Sequence, residues 1–208
     1  MADRSGAYSE AQVIARLREI FASLHPRIEV GIGDDAAVVA GDKRQVMTTD
    51  MAVEGVHFRK DWSSGFEIGR KVTAANAADI LAMGATPDYL LVAVALTGTE
   101  SMEWISDLAN GIKFEANLAS AHVVGGDVSR GDQVVISIAA FGSVETPILR
   151  SGAKPGDGIY LSSLTGWSAA GLALLKSNAT VTSEVMKKAL REFKSPTVDY
   201  GFDATGAS

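Results

Sequence analysis

Aspartate recurs where the chain turns. Asp34 and Asp35 follow Gly31-Ile32-Gly33, Asp50 closes Thr48-Thr49-Asp50, and Asp127 follows Gly125-Gly126, so each stands beside a glycine turn or at the end of a predicted strand. Strand ends are where open α/β folds build their sites. Magnesium takes oxygen ligands in a near-octahedral shell, keeps several waters, and is usually held by one or two carboxylates together with substrate phosphates. Scattered single aspartates suit that chemistry. They equally suit the role of Asp as a turn and capping residue, so both readings stand at each position. Asn76 and Asp79 are three apart in a predicted helix and share a face, where they interrupt the small-residue run Ala74-Ala75-Asn76-Ala77-Ala78-Asp79. Small neighbours admit a close approach. A solvated polar face is the alternative, though few lysines or glutamates accompany them.

Familiar phosphate-binding loops are missing. Gly31-Ile32-Gly33-Asp34-Asp35-Ala36 looks like the start of a dinucleotide fingerprint, but it follows a helix, leads to a strand and lacks the third glycine. Gly152-Ala153-Lys154-Pro155-Gly156 fails the GxxxxGK[ST] pattern, because proline follows the lysine. Phosphates would then be held by magnesium and an arginine, since phosphoryl transfer depends on positioning and charge neutralisation more than on protein nucleophiles. Arg150 is the candidate, with a surface arginine in a linker as the alternative. His57, in Glu54-Gly55-Val56-His57-Phe58, could contact an anion, but a lone loop histidine fits a structural role as well, and the residues alone do not select it.

The composition narrows the classes. The chain has 208 residues, 47% of them hydrophobic and 21% charged, which suits a globular protein with a sizeable core. Its net charge of −6 arises from 25 acids against 19 bases with no Lys/Arg cluster, so nucleic acid is not expected as a partner. There is no cysteine, which removes disulfides, thiolate nucleophiles and Cys-ligated metals. No catalytic protein nucleophile is expected. MADRSGAYSE lacks the apolar core of a signal peptide, and no stretch approaches the roughly 20 apolar residues of a membrane span. A cytoplasmic protein without membrane contact is the expectation.

The elements that must position these residues alternate between helix and strand. Ser9-Glu10-Ala11-Gln12 has the form of a capping box, and the apolar residues after it predict a helix over 10–24. Ala36 to Asp50 reads as two short strands around a turn at Gly41-Asp42. A second capping box at Ser64-Gly65-Phe66-Glu67 opens a helix over 65–83, ended by Gly84. A strand over 89–96 and a helix from Ser101 to about Leu118 follow. Val123-Val124 precedes a turn at Gly125-Gly126-Asp127, and 133–144 is a long strand after the turn Arg130-Gly131-Asp132. Composition shifts at Glu145-Thr146-Pro147, which predicts one domain over 1–147 and the start of another over 148–208. The second holds a strand at 158–162 and helices near 168–177 and 183–193, with nothing to cover their apolar faces. That domain is expected to be incomplete.

In this order the motifs become specific: Gly31-Ile32-Gly33-Asp34-Asp35-Ala36-Ala37, Thr48-Thr49-Asp50 through Glu54-Gly55-Val56-His57-Phe58, Asn76-Ala77-Ala78-Asp79, Met83-Gly84-Ala85, Gly125-Gly126-Asp127, and Arg150-Ser151-Gly152-Ala153-Lys154-Pro155-Gly156-Asp157. From about residue 29 to 175 the chain resembles the thiamine-monophosphate kinases. These sit in a superfamily with aminoimidazole ribonucleotide synthetase, selenophosphate synthetase and a hydrogenase-maturation protein, and the TTD…EGVHF string favours the thiamine enzyme. The resemblance implies transfer of the γ-phosphoryl of ATP to thiamine monophosphate, with several magnesium ions, giving thiamine diphosphate and ADP. By motif position it implies that Asp35, Thr48, Thr49, Asp50, Asp79 and Asp127 form the metal shell. Gly126, Asp127 and Arg150 then contact ATP, and His57 contacts thiamine monophosphate. It further implies an α/β (α+β) fold: an N-terminal mixed sheet with helices on one face, pairing across a homodimer into a barrel, followed by a second α/β domain.

Three departures stand out. Relatives continue into an Asp-x-Ser-Asp-Gly segment beyond the point matching Ser208, which implies a C-terminally truncated sequence that is poorly active by itself. Ala119-Ser120 replaces a Tyr-Gly common in relatives, and Trp167 replaces a small or acidic residue. Another ATP-dependent synthetase of the superfamily, or a non-catalytic dimerising nucleotide-binding module, are the alternative functions.

Overall fold

The computed structural model describes residues 9–22, 25–30, 38–39, 41, 43–149, 153–161 and 163–201. Helix α1 spans Glu10–Ile20, capped by Ser9, whose hydroxyl accepts from the Gln12 amide while the Gln12 side chain accepts from the Ser9 amide. It ends earlier than the periodicity predicts. Phe21 is its C-cap, with φ −95° and ψ 8°.

Strand β1 (Ile28–Val30) pairs antiparallel with β2 (Val38–Val39), whereas β3 (Arg44–Val53) pairs antiparallel with the last strand of the main sheet. The two strands expected on either side of Gly41-Asp42 are thus present, and among the described residues they pair with different strands rather than with each other. Helix α2 (Gly65–Ala82) carries the Ser64/Glu67 capping box and leads to β4 (Thr86–Leu96); α3 (Met102–Leu118), capped by Ser101, leads to β5 (His122–Arg130) and then β6 (Val135–Val144). The main sheet has the order β3-β6-β4-β5, with β4 and β5 parallel and the other pairs antiparallel.

Alternation along β6 buries Ile136, Ile138 and Ala140 completely, and with Leu90, Val92 and Val94 of β4 they pack beneath Ile68, Val72 and Ile80 of α2 and Leu108 and Ile112 of α3. The opposite face of the sheet exposes Met47, Met51 and Ala93. This is an α/β fold with a four-stranded mixed sheet. The two helices cross closely because glycines face each other's backbone: a Cβ at Gly69 would strike the Leu108 carbonyl, and one at Gly111 the Phe66 carbonyl.

Two sequence expectations fail here. Gly125-Gly126-Asp127 is not a turn but lies within β5, with Gly126 opposite Val92 and Asp127 opposite Ala93. Glycine suits that place for a packing reason, since a Cβ on Gly126 would collide with the Val92 carbonyl. No strand forms over the described residues 158–161, where Ile159, Tyr160 and Leu161 are 96%, 77% and 72% exposed. A strand needs a neighbour for its backbone groups, and among the described residues none lies beside this one.

Beyond β6, α4 (Trp167–Lys176) and α5 (Glu184–Lys194) form a hairpin that rests on α2. Phe193 stacks edgewise on Trp62 at 6.2 Å and lies 4.2 Å from Lys71 Nζ, while Lys194 pairs with Glu67 at 3.6 Å. Tyr200 then donates to Glu115 of α3 at 2.7 Å. Trp167 has its account in this hairpin: Lys188 Nζ sits 4.4 Å over its ring.

Candidate functional site

The seam between β3 and α2 assembles the oxygen donors. Thr48, Asp50 and Ala52 alternate onto the helix side of β3, and Ala52 is buried there. Thr48 Oγ1 donates to Asp79 Oδ2 at 3.1 Å. Two residues along, the Asp50 amide donates to Asn76 Oδ1 at 3.0 Å, and Asn76 Nδ2 donates to the Val72 carbonyl at 2.9 Å. Strand β3 is the sheet edge, so Asn76 satisfies a backbone N–H that has no strand beside it.

Asn76 and Asp79 share a helix face yet differ in kind. Asn76 is completely buried and bonded through both its oxygen and its nitrogen, which rules out the solvated-face reading for it, whereas Asp79 is exposed at the rim. Asp50 is likewise exposed, and it lies inside β3, three residues short of the end, rather than at a strand end. Among the described residues neither Asp50 nor Asp79 takes part in an ion pair. Two unneutralised carboxylates and a hydroxyl along one seam are a hard-cation donor set, all oxygen and without nitrogen or sulfur.

The remaining candidates lie elsewhere. Thr49 alternates onto the opposite face of β3, opposite Ala139. Asp127 shares a sheet row with Met51 through Ala93 and Ser137, on the face away from the helices. Strands β3 and β5 are the two edges, so Asp50 and Asp127 are separated by three strand spacings, roughly 14 Å. Among the described residues no three of His, Asp and Glu come together to hold a metal ion within one chain. The expectation that all the aspartates converge is not met by the described part of a single chain, because strand pairing places β6 and β4 between them. Asp34, Asp35 and Arg150 lie outside the described residues.

His57 occupies a tight turn after β3. Its main-chain N–H donates to the Val53 carbonyl at 2.9 Å, and its ring Nδ1 accepts the Val53 N–H at 3.1 Å. The side chain is exposed, while Phe58 beside it is 5% exposed and anchors the turn in the core. Lys71 Nζ reaches the His57 carbonyl at 3.4 Å, and burial pushes its ammonium below the usual lysine range.

Residues 33–144 match the model of the AIR synthase related protein family, N-terminal domain. The chain belongs to that family. The thiamine-monophosphate kinase of Mycobacterium tuberculosis is 40% identical over 182 residues, covering 86% of this chain and 54% of the relative. The chain thus spans about half the length of the curated relatives it matches. Among solved structures, the thiamine-monophosphate kinase of Stenotrophomonas maltophilia superposes with a TM-score of 0.76 at 32% identity, covering 92% of this chain and 61% of that one. AaThiL complexed with AMPPCP and TMP superposes with a TM-score of 0.73 at 27% identity, covering 92% and 60%. This AIR synthase related chain is therefore similar to thiamine-monophosphate kinases in sequence and in fold.

Sequence reasoning overlooked Lys60, Glu100, Glu115 and Tyr200. Each is a polar residue whose partner lies 40 or 85 positions away, as in Lys60–Glu100 and Tyr200–Glu115, and nothing local marks such pairs. Glu100 and Glu115 become buried only on folding.

Proposed function

We propose that this chain carries the metal- and nucleotide-binding part of a thiamine-monophosphate kinase. A phosphate oxygen of thiamine monophosphate would displace ADP from the γ-phosphorus of ATP, forming one P–O bond as another breaks and giving thiamine diphosphate. The observation that carries the reading is the β3–α2 seam, with Thr48, Asp50 and Asp79 side by side, in a chain 40% identical to such a kinase.

Magnesium, bound with ATP, would supply charge neutralisation on the transferred group. Of several such ions, Thr48, Asp50 and Asp79 would hold one at the seam and Thr49, Asp35 and Asp127 would serve others, while Gly126, Asp127 and Arg150 would meet ATP and His57 the thiamine monophosphate. Asn76 keeps Asp50 in place by holding its amide, and Thr48 orients Asp79. Asp127 lies too far from Asp50 to share an ion within one described chain. A homodimer that joins the open sheet faces into a barrel through Met47 and Met51 is the arrangement we propose, with 1–147 as the dimerising domain, 148–208 as the start of the second, and the cytoplasm as its setting.

The test is transfer of label from γ-labelled ATP with magnesium and thiamine monophosphate, run beside selenide and aminoimidazole-precursor acceptors. Labelled thiamine diphosphate is the expected product, formed only slowly by a chain that spans about half the length of the relatives it matches. Label passing to another acceptor overturns the assignment in favour of a sister synthetase. Tight magnesium–ATP binding with no transfer to any acceptor favours a nucleotide-binding module.

A further inference from the structure

The turn that carries His57 is held from a distance. Glu100, in the connection from β4 to α3, has a side chain only 1% exposed, and both its oxygens are filled. Oε2 accepts the amides of Thr97 at 3.0 Å and Gly98 at 3.2 Å, and Oε1 accepts the Thr97 hydroxyl at 2.8 Å and Lys60 Nζ at 2.8 Å. Lys60 also meets Glu54 Oε2 at 3.3 Å and lies 5.7 Å from the Trp104 ring centroid. Burial alone would raise the Glu100 carboxyl, but Lys60 and Thr97 outweigh it and hold the group below the usual carboxylate range. A buried carboxylate so fully bonded is a fixed post rather than a mobile charge.

Glu54 and Lys60 bracket the turn. Within it the Gly55 amide donates to the Phe58 carbonyl at 2.8 Å, and His57 folds its ring back to accept the Val53 N–H. A ring nitrogen that accepts a backbone N–H carries no proton, so the neutral imidazole keeps its proton on Nε2. Nε2, across the exposed ring, is left for a ligand as a hydrogen-bond donor.

We propose that Glu100 is a positioning residue which, through Lys60 and Glu54, holds the 53–58 turn so that His57 offers Nε2–H to an anionic substrate oxygen. The proposal rests on the reading of His57 as a thiamine-monophosphate contact. Glu100 itself touches no ligand. Its effect is to keep one tautomer and one ring orientation, which an oxygen acceptor of fixed position requires.

The test is long-range proton–nitrogen NMR of the imidazoles in the ¹⁵N-labelled chain above neutral pH. It has three histidines to assign, and His57→Gln identifies the signal. His57 is expected as the Nε2–H tautomer in the unmodified chain, as a mixture in Glu100→Ala, and restored towards Nε2–H in Glu100→Gln, which keeps an acceptor. Should Glu100→Ala lose the fold, seen as collapse of the His25 and His122 signals, Lys60→Met is the deciding variant and is expected to mix the tautomers. Thiamine monophosphate should move Nε2 and not Nδ1, with affinity weakened on the order of tenfold in the variant that mixes them. An Nδ1–H tautomer in the unmodified chain, or a His57 signal indifferent to both variants in folded protein, overturns the proposal. A tautomer that responds as expected while thiamine monophosphate moves nothing supports the positioning and overturns the substrate reading.

Discussion

Thr48 on β3 donates its hydroxyl to Asp79 on α2 at 3.1 Å, across 31 residues of chain. The bond turns the Asp79 carboxylate towards the strand that bears Asp50. Replacing Asp79 or Asp50 by Asn keeps the volume and removes a charge at an exposed rim, so folding should survive with the melting temperature within a few degrees. Magnesium-dependent ATP binding should weaken by at least about tenfold. Isothermal titration alongside thermal melting checks this, and unchanged binding in either variant removes that residue from the proposed site.

Asn76 should matter for stability more than any exposed member of the seam. Asn76→Ala leaves the Asp50 amide unpaired at the sheet edge and opens a small cavity, which should cost about 1–3 kcal/mol. Urea unfolding monitored by circular dichroism measures it. A loss under about 0.5 kcal/mol would show that water replaces the side chain without cost.

Ser120, just past the end of α3, has φ of 59°. A non-glycine residue in the left-handed region costs roughly 1 kcal/mol, and a helix C-terminus there favours glycine. Ser120→Gly should therefore stabilise the chain by up to about that amount, read as a higher urea midpoint.

Tyr200 links the chain beyond α5 to Glu115. Burial first, and then Glu115, raise its phenol above the ordinary tyrosine value. A raised acid is stabilising in its protonated form, so the contribution is fully present below the unfolded value near 10 and is lost as pH rises above it. Tyr200→Phe should lower stability at pH 8 and flatten the alkaline decline between about pH 10 and 11. Melting curves across that range decide it; an equally steep decline in the variant would assign it to other groups, Tyr89 among them.

The helices were legible because their signals are local. Ser9 with Gln12 and Ser64 with Glu67 form the capping boxes their spacing predicts, and α3 begins at Met102, within one residue of the start expected at Ser101. Strand positions were legible less completely. Gly125-Gly126-Asp127 has the composition of a turn, yet Gly126 is there because Val92 passes too close for a side chain. The apolar run at Ile159 to Leu161 has the composition of a strand, yet it stands alone and exposed.

The amino-acid order by itself determined the helices, the two capping boxes and the oxygen-rich character of the candidate donors, since these depend on residue type and on neighbours within a few positions, and its string of motifs carried the family likeness. Only the tertiary structure decided that Thr48 meets Asp79, that Asn76 is sealed beneath β3, that Asp127 sits at the far edge of the sheet, and that Glu100 grips Lys60. The reason is physical: strand order and facing follow from burying Ile136, Ile138 and Leu90 under two helices at once, a condition on the whole chain that no local window contains.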